Sequence, residues 1–241
     1  MAERKRIGLI LPSANNVLEP DFYRLAPMNV TIHTARMWLT AADPNSIERM
    51  NQEVENCARY LATAHVDIMA YGCTGGSFLG GHGYDQRLLQ RIRETGGVPA
   101  VATSAAAVDA LKMLNVKRVS VASPYIDEIN EKLEVFFRDN DFEILNVAGQ
   151  QLREAFDIGE QTPETIYEFS RKSFHPGANG MFLSCTDWRA LETVDRLEKD
   201  LGRPVVTANQ ATIWAAFRAL HITKPIKGYG RLMESLATMK A

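Results

Sequence analysis

Two of the three cysteines in this sequence stand at matching positions of an internal repeat. Cys73 and Cys185 lie 112 residues apart, and each ends an apolar run and precedes a threonine. A thiol at a helix N-terminus is favoured as the nucleophilic thiolate, because free N–H groups and the helix dipole stabilise its charge. The pattern therefore predicts a pair of reactive thiols. Cys57 falls on the apolar face of a predicted helix and is interpreted as a packing residue.

The repeat extends well beyond the cysteines. Two blocks match at an offset of 112 without a gap, 6–12 with 118–124 and 69–74 with 181–186. A later pair, 98–103 and 203–208, is offset by 105, so the second copy is shorter after its cysteine. The simplest interpretation is a duplication of an α/β unit. The first half is predicted to comprise residues 1–115 together with a C-terminal tail of about 221–241, and the second half residues 116–220.

Short apolar runs alternate with longer amphipathic segments along both halves. Strands are predicted at 7–11, 30–35, 66–71, 99–102, 118–122, 142–147, 180–184 and 204–208. Helices are predicted at 45–64, 104–114, 126–139, 162–173, 188–201 and 210–220. Continuous apolar strands between helices are typical of parallel sheets covered on both faces. The predicted fold is thus α/β, with two pseudo-twofold-related, Rossmann-like halves and a site in the cleft between them.

Open parallel sheets bind ligands at the carboxyl ends of their strands. A pseudo-twofold axis would bring Cys73 and Cys185 to opposite sides of one ligand. Backbone N–H groups and small polar residues beside the thiols are suited to holding a carboxylate; they are Thr74, Gly75, Gly76, Thr186 and Asp187. The glycine-rich segment 80–83 is interpreted either as a mobile loop over the site or as an ordinary turn.

The composition excludes several other classes of protein. The chain has 241 residues, 27 basic and 29 acidic, so it lacks the basic excess typical of nucleic-acid or membrane-surface binding. Three widely spaced cysteines favour the reducing cytoplasm over a disulfide framework. No dinucleotide, phosphate-loop or serine-elbow motif is found, and the histidines match no metal-ligand spacing. We therefore expect cofactor-independent thiol chemistry without a metal.

Five segments carry a specific resemblance: 11–15 (LPSAN), 71–77 (YGCTGGS), 123–125 (SPY), 183–186 (LSCT) and 204–214 (PVVTANQATIW). With them the chain resembles the aspartate/glutamate racemase superfamily, in its branch of maleate cis-trans isomerases and arylmalonate decarboxylases. The resemblance implies a small carboxylate substrate, no cofactor and a homo-oligomer. It implies that Cys73 adds to the double bond of a cis-diacid while Cys185 manages the proton. Asn15 and Tyr125 match residues that bind substrate carboxylates.

Other activities of the superfamily stay open at this point. A two-cysteine amino-acid racemase would want an acid for the α-ammonium group, and Asp187 or Asp157 could serve. A decarboxylase, which keeps only the second cysteine, an ectoine-degradation protein and a non-catalytic ligand-binding protein are the further alternatives. Ala155 stands where the isomerases have asparagine, so the anion site is expected to be modified. Asn209 is expected either to reach the site or to cap a helix.

Overall fold

Two four-stranded parallel sheets form the centre of the computed structural model, which describes residues 3–81 and 83–238. The first sheet has the order β2-β1-β3-β4, and its strands are β1 (Lys5–Pro12), β2 (Val30–Met37), β3 (Ile68–Tyr71) and β4 (Ala100–Ala102). The second has the order β6-β5-β7-β8, and its strands are β5 (Arg118–Ser123), β6 (Glu143–Gly149), β7 (Gly180–Leu183) and β8 (Val205–Thr207).

The strand pairing reproduces the sequence repeat residue by residue. Ile10 lies opposite Tyr71 in the first sheet, and Ala122 lies opposite Leu183 in the second. Both pairs obey the offset of 112, so the repeat is a repeat of strand register as well as of sequence. The predicted α/β architecture with two parallel-sheet halves is confirmed.

Helices cover both sheets. They are α1 (Leu18–Leu25), α2 (Pro44–Met50), α3 (Val54–Thr63), α4 (Thr74–Phe78), α5 (Tyr84–Gly96), α6 (Thr103–Met113), α7 (Asp127–Asp139), α8 (Ala155–Gly159), α9 (Pro163–Ser173), α10 (Val194–Leu201), α11 (Ala208–Ala219) and α12 (Gly230–Glu234). Short 3-10 turns occupy Asn51–Glu53, Leu191–Thr193 and Ser235–Thr238. Within the described part of the chain, no helix is both long and apolar enough to cross a membrane.

Two predicted helices differ from the structure. The segment 45–64 is divided by a 3-10 turn, because the buried Asn51 side chain turns inward and donates to the carbonyl of Gly76 at 2.8 Å. The segment 188–201 is helical only from Val194 onward. Trp188 is fully buried, and its carbonyl accepts from Ala190 in a tight turn instead of starting a helix.

Five helices, α1, α4, α5, α8 and α12, lie outside the predicted helix ranges, although the sequence does predict a helix start after Cys73. α4 and α8 have five residues each, too few for a hydrophobic period to show. α4 also contains Gly75 and Gly76, which are poor helix formers, so propensity argued against it. Of the segment 80–83, Gly81 and Gly83 have positive φ and form a turn before α5, while His82 lies outside the described residues.

The two halves are joined through their last helices. α6 packs against α11, and the hydroxyls of Thr103 and Thr212 lie 2.9 Å apart in that contact. The described part of the tail packs on α10, α11 and β8, with the Arg231 N–H donating to Glu198 at 3.0 Å. These contacts are with the second half, whereas the sequence assigned the tail to the first. The division at residues 115/116 stays a prediction.

Candidate active site

Cys73 stands at the point where β3 ends and α4 begins. It is the N-cap residue of α4, and its sulfur accepts from the N–H of Gly76 at 3.4 Å. The Ser77 hydroxyl donates to the Cys73 carbonyl at 2.9 Å, which fixes the backbone behind the thiol. The thiol thus lies at the carboxyl end of its strand, as the sequence predicts, and in contact with a helix N-terminus.

Cys185 stands at the equivalent end of β7 in different local structure. Its φ is 153°, an uncommon value for a residue with a side chain, and its sulfur accepts from the N–H of Asp187 at 3.4 Å. Residues 186–190 form turns, so no helix begins at this thiol. The expectation that each cysteine lies near a helix N-terminus is therefore correct for Cys73 and wrong for Cys185.

The structure brings the two thiols and Tyr125 into one buried cluster. Cys73 and Cys185 are each 7% exposed, and Cys73 is close enough to Cys185 to contribute to its raised pKa. The Tyr125 hydroxyl faces both sulfurs and acts to lower the pKa of Cys185. The Tyr125 N–H donates to the Ser123 hydroxyl at 3.2 Å, which holds the ring at the end of β5. Thiols from both sheets therefore meet in one buried cluster between the halves.

Burial reverses the expected acidity of both thiols. Desolvation raises the pKa of Cys73 to about 11, although the Gly76 N–H and the Tyr71 hydroxyl act in the opposite direction. Desolvation, followed by the Asp187 carboxyl, raises the pKa of Cys185 still further. The sequence expectation of lowered thiol pKa values is wrong for the unliganded site, because the loss of water outweighs the N–H donors. Both thiols are protonated at pH 7.

Asn15 ties the first half to the second beside the thiols. Its Oδ1 accepts from the N–H groups of Val17 and Leu18, and its Nδ2 donates to the Thr186 hydroxyl at 3.2 Å. Thr186 in turn donates to the carbonyl of Gly72 at 3.0 Å. Asn15 Nδ2 carries two hydrogens and gives one to Thr186, so the amide is held rigidly at the site with a second N–H.

Thr74 and Gly75 lie in the first turn of α4, directly after Cys73. Both are buried, and a Cβ at Gly75 would contact Ile47 at 3.2 Å. The Thr74 hydroxyl is buried and faces the Tyr125 hydroxyl, but it makes no hydrogen bond of normal geometry among the described residues. An unpartnered buried hydroxyl is unfavourable, and a ligand oxygen would satisfy it. The first N–H groups of a helix are likewise left without intrahelical acceptors.

The Asp187 carboxylate is already bound within the protein. It accepts from the N–H groups of Asn16, at 2.8 Å, and Val17, in the loop after β1. Desolvation raises the pKa of Asp187 to about 7, and these two N–H groups act against that rise. The sequence predicted a substrate ligand at this position; the structure shows a carboxylate that links the second half to the first.

Three further sequence candidates lie away from the thiols or act differently. Asn209 donates to Asp21 Oδ2 at 2.7 Å, and Thr207 rather than Asn209 caps α11. Asp157 is exposed on α8. Ala155 is buried, and its N–H donates to the carbonyl of Thr40 at 3.1 Å.

Loops from the two halves also meet through their backbones. Ala41 and Glu154 form an antiparallel bridge, and the Ala42 N–H donates to the Arg153 carbonyl at 2.7 Å. The bridge lies in the segments that lead to α2 and α8. A backbone connection between the halves therefore adds to the Asn15 and Asp187 contacts.

Sequence reasoning missed residues that hold the site. Tyr71 precedes Cys73 by two residues, so both side chains point to one face of the strand end. Its hydroxyl donates to Asn51 Oδ1 and is close enough to the Cys73 sulfur to act on the pKa of the thiol. Arg36 donates to the carbonyls of Ser13 and Asn15, at 3.1 and 2.7 Å. The spacing of Tyr71 could have been read from the sequence, whereas nothing there indicates the pairing of Arg36.

Comparison with known proteins places this chain in a family. The family model for arylmalonate decarboxylase matches residues 7–233, and the chain belongs to that family. A maleate isomerase of Pseudomonas putida is 28% identical over 246 residues, covering 97% of this chain and 98% of that protein. An arylmalonate decarboxylase of Bordetella bronchiseptica is 28% identical over 241 residues, with coverage of 97% and 98%. The resemblance read from the motifs is confirmed.

A solved structure extends the comparison to the fold. A cysteine-to-serine mutant of the Nocardia farcinica maleate cis-trans isomerase, with a covalently bound succinylcysteine intermediate, superposes with a TM-score of 0.91. The two chains are 24% identical, and the match covers 96% of this chain and 98% of that one. Both parallel-sheet halves therefore belong to a shared fold.

Proposed function

We propose that this protein is a cofactor-independent isomerase of a small dicarboxylic acid, which interconverts the cis and trans forms of a maleate-type substrate. The observation that carries the proposal is the pair of buried thiols, Cys73 and Cys185, which meet from equivalent strand ends of the two halves. Covalent catalysis needs a nucleophile on one side of the substrate and a proton carrier within reach of the adduct. The family of the chain and its maleate isomerase relatives support the same reaction.

In the proposed reaction the Cys73 thiol first loses its proton to solvent, and the thiolate then forms a C–S bond with one alkene carbon. The alkene π pair moves to the other carbon, which takes a proton from the Cys185 thiol. The former double bond is then a single bond and rotates. Cys185 removes a proton from the same carbon, the double bond forms again in the trans arrangement, and the C–S bond breaks to return the Cys73 thiolate. No atom is gained or lost, and the two thiols supply both functions.

Groups beside the thiols suit the two carboxylates of such a substrate. Three donors or potential donors lie on residues of this site: the second N–H of Asn15, the Thr74 hydroxyl and the Tyr125 hydroxyl. Backbone N–H groups at Thr74 and Gly75 in the first turn of α4 add to them. These neutral donors stabilise a carboxylate without a fixed positive charge. The Asp187 carboxylate acts through the loop it holds rather than as a ligand.

The same residues argue against a racemase of α-amino acids. Such a substrate has an ammonium group that needs an acidic partner. Asp187 is held by two backbone N–H groups, and Asp157 is exposed on α8. A decarboxylase is disfavoured because Cys73 occupies the position that is not a cysteine in those enzymes.

Proton NMR of the protein with maleate in deuterated buffer tests the proposal. We expect the maleate signal to decrease and the fumarate signal to appear. If maleate is unchanged while aspartate or glutamate exchanges its Cα hydrogen, the protein is a racemase. Loss of carboxyl groups from an arylmalonate would indicate the decarboxylase. If none of the three substrates reacts while maleate still protects Cys73 from alkylation, the protein is a non-catalytic binding protein.

A further inference from the structure

A second buried tyrosine, Tyr71, lies beside Cys73 within the first half. Tyr71 is fully buried, and its hydroxyl is close enough to the Cys73 sulfur to act on the pKa of the thiol. Gly76 lies against both residues: its N–H donates to the sulfur at 3.4 Å, and a Cβ at this position would overlap the Tyr71 hydroxyl. The glycine is therefore required for the close approach of the phenol to the first turn of α4.

Asn51 fixes which way the Tyr71 hydroxyl donates. Asn51 Nδ2 donates to the Gly76 carbonyl at 2.8 Å and to the Tyr84 hydroxyl at 3.1 Å. These two bonds use the amide hydrogens, so Oδ1 is left as an acceptor and takes the hydrogen of Tyr71. The Arg91 guanidinium donates to the Asn51 carbonyl at 3.2 Å and holds the 3-10 turn in place.

A phenol has a single hydrogen, so Asn51 and the Cys73 sulfur compete for it. While Cys73 is a thiol, the hydrogen rests on Asn51. A thiolate is a far better acceptor than a thiol or a neutral amide, because hydrogen bonds to charged groups are stronger. The hydroxyl would then rotate toward the sulfur at the expense of the Asn51 bond.

We propose that Tyr71 is the positioning residue that donates a hydrogen bond to the Cys73 thiolate, and that Asn51 opposes this by competing for the same hydroxyl hydrogen. The role of Cys73 as nucleophile rests on the function proposed above, but the hydrogen-bond competition does not. The two residues act through Cys73 and touch no substrate atom in this scheme.

Other ionisable groups also face this thiol and must be accounted for. From the second half, Asp187, Tyr125 and Cys185 face Cys73, while Tyr71 faces it from its own strand. None of the groups from the second half is altered by changes at positions 51 or 71. Tyr84 and Arg91 face Tyr71 from α5, and Tyr84 provides a matched control.

The test is the pH profile of Cys73 alkylation by iodoacetamide, resolved by peptide mass spectrometry in the full chain without substrate. We expect Tyr71→Phe to move the Cys73 profile to higher pH and to slow alkylation at pH 8 about tenfold or more. Asn51→Leu should move it in the opposite direction, to lower pH. Tyr84→Phe, which removes a phenol from the same network without reaching the sulfur, should leave the profile in place.

Shifts of the Cys73 alkylation profile in opposite directions in the Tyr71 and Asn51 variants would indicate competition for the hydrogen. Loosened packing would instead shift the profile in the same direction in both variants. An unchanged profile in Tyr71→Phe overturns the positioning role. A shift of Asn51→Leu to higher pH overturns the competition; Asn51→Ser replaces it if the leucine variant does not fold. Failure of the wild type to isomerise maleate would refute the proposed function and leave these profiles interpretable.

Discussion

The two halves present the same residue at the same strand end in two different environments. Cys73 caps α4 and receives the Gly76 N–H, whereas Cys185 has a strained backbone and is followed by turns. A tyrosine hydroxyl faces each cysteine sulfur, but the two tyrosines are not repeat equivalents: Tyr71 precedes its cysteine by two residues, and Tyr125 follows β5. The repeat therefore determines the position of both thiols, and the local differences around them determine their acidity.

The difference in acidity follows from these environments. Burial raises both thiol pKa values, but the pKa of Cys73 stays nearer its usual range, at about 11, while Asp187 pushes that of Cys185 higher. The more easily ionised thiol is suited to attack, and the one that holds its proton is suited to donate it. This asymmetry assigns Cys73 as nucleophile and Cys185 as acid in the proposed reaction.

Replacing each thiol in turn should have the largest effect and should separate the two roles. We expect Cys73→Ser and Cys185→Ser each to lower kcat for maleate by roughly 1,000-fold or more. With maleate, Cys185→Ser should accumulate an adduct on the peptide that contains Cys73, while Cys73→Ser should give none by mass spectrometry. Cys57→Ser, on the buried face of α3, is the matched control and should keep its activity. Full activity in either site variant would contradict the two-thiol scheme.

The pH dependence of the wild type should report the thiol with the lower pKa. Because Cys73 is neutral in the unliganded site, its reactive form increases with pH until about 11. We expect kcat/KM for maleate to rise by about tenfold per pH unit between pH 7 and 9, measured from initial rates of fumarate formation. Circular dichroism over the same range checks that the fold persists. A flat profile would mean that Cys73 is already ionised.

Removing the hydroxyl of Tyr125 should affect one thiol and spare the other. Tyr125→Phe removes a hydroxyl that lowers the pKa of Cys185 and that serves as a substrate donor in the proposed reaction. We expect kcat to fall by about 10- to 100-fold. Alkylation of Cys73 should be little changed. Tyr167→Phe is the control, since it removes a phenol bound to Asp200 in the same half. Equal changes at Cys73 and Cys185 would contradict separate tyrosines for the two thiols.

The parts of the molecule that repeat could be predicted from the sequence. The offset of 112 identified both sheets and put Cys73 and Cys185 at equivalent strand ends, because buried strands leave continuous apolar runs. The family motifs identified Asn15 and Tyr125, which the structure brings to the thiols. These features depend on residues that are close in sequence.

The acidity of the thiols could not be predicted, because it depends on contacts between distant residues. Asp187 meets the loop after β1 across 171 positions, and Tyr71 meets Asn51 across 20. The helix N-terminus alone predicts a lowered thiol pKa. That prediction does not include the exclusion of water by these contacts, which raises the pKa. Asn209 also donates to Asp21, and this hydrogen bond joins residues 188 positions apart, which no sequence motif indicates.

Removing the Asp187 charge should have the smallest effect and should test the asymmetry most directly. Burial raises the pKa of Asp187 from 3.8 to about 7, so the unfolded chain loses this proton first as the pH rises. Its contribution to stability is therefore present below about pH 4 and is lost as the pH rises to 7. Asp187→Asn has no carboxyl at this position to titrate, so it should not lose this stability as the pH rises. The free energy of unfolding of the variant minus that of the wild type should therefore increase by about 2 kcal/mol between pH 5 and 8.

The same variant should bring the two thiols closer in acidity. The Asp187 carboxyl is the second cause of the raised pKa of Cys185 but only a minor one for Cys73. We therefore expect alkylation at pH 8 to increase more at Cys185 than at Cys73. Asp21→Asn is the matched control, because burial raises the pKa of Asp21 to about 6 at a site that does not face the thiols. It should alter the pH dependence of unfolding and leave both thiols unchanged. A greater increase at Cys73 would mean that the asymmetry arises from the backbone around each cysteine and not from the charge of Asp187.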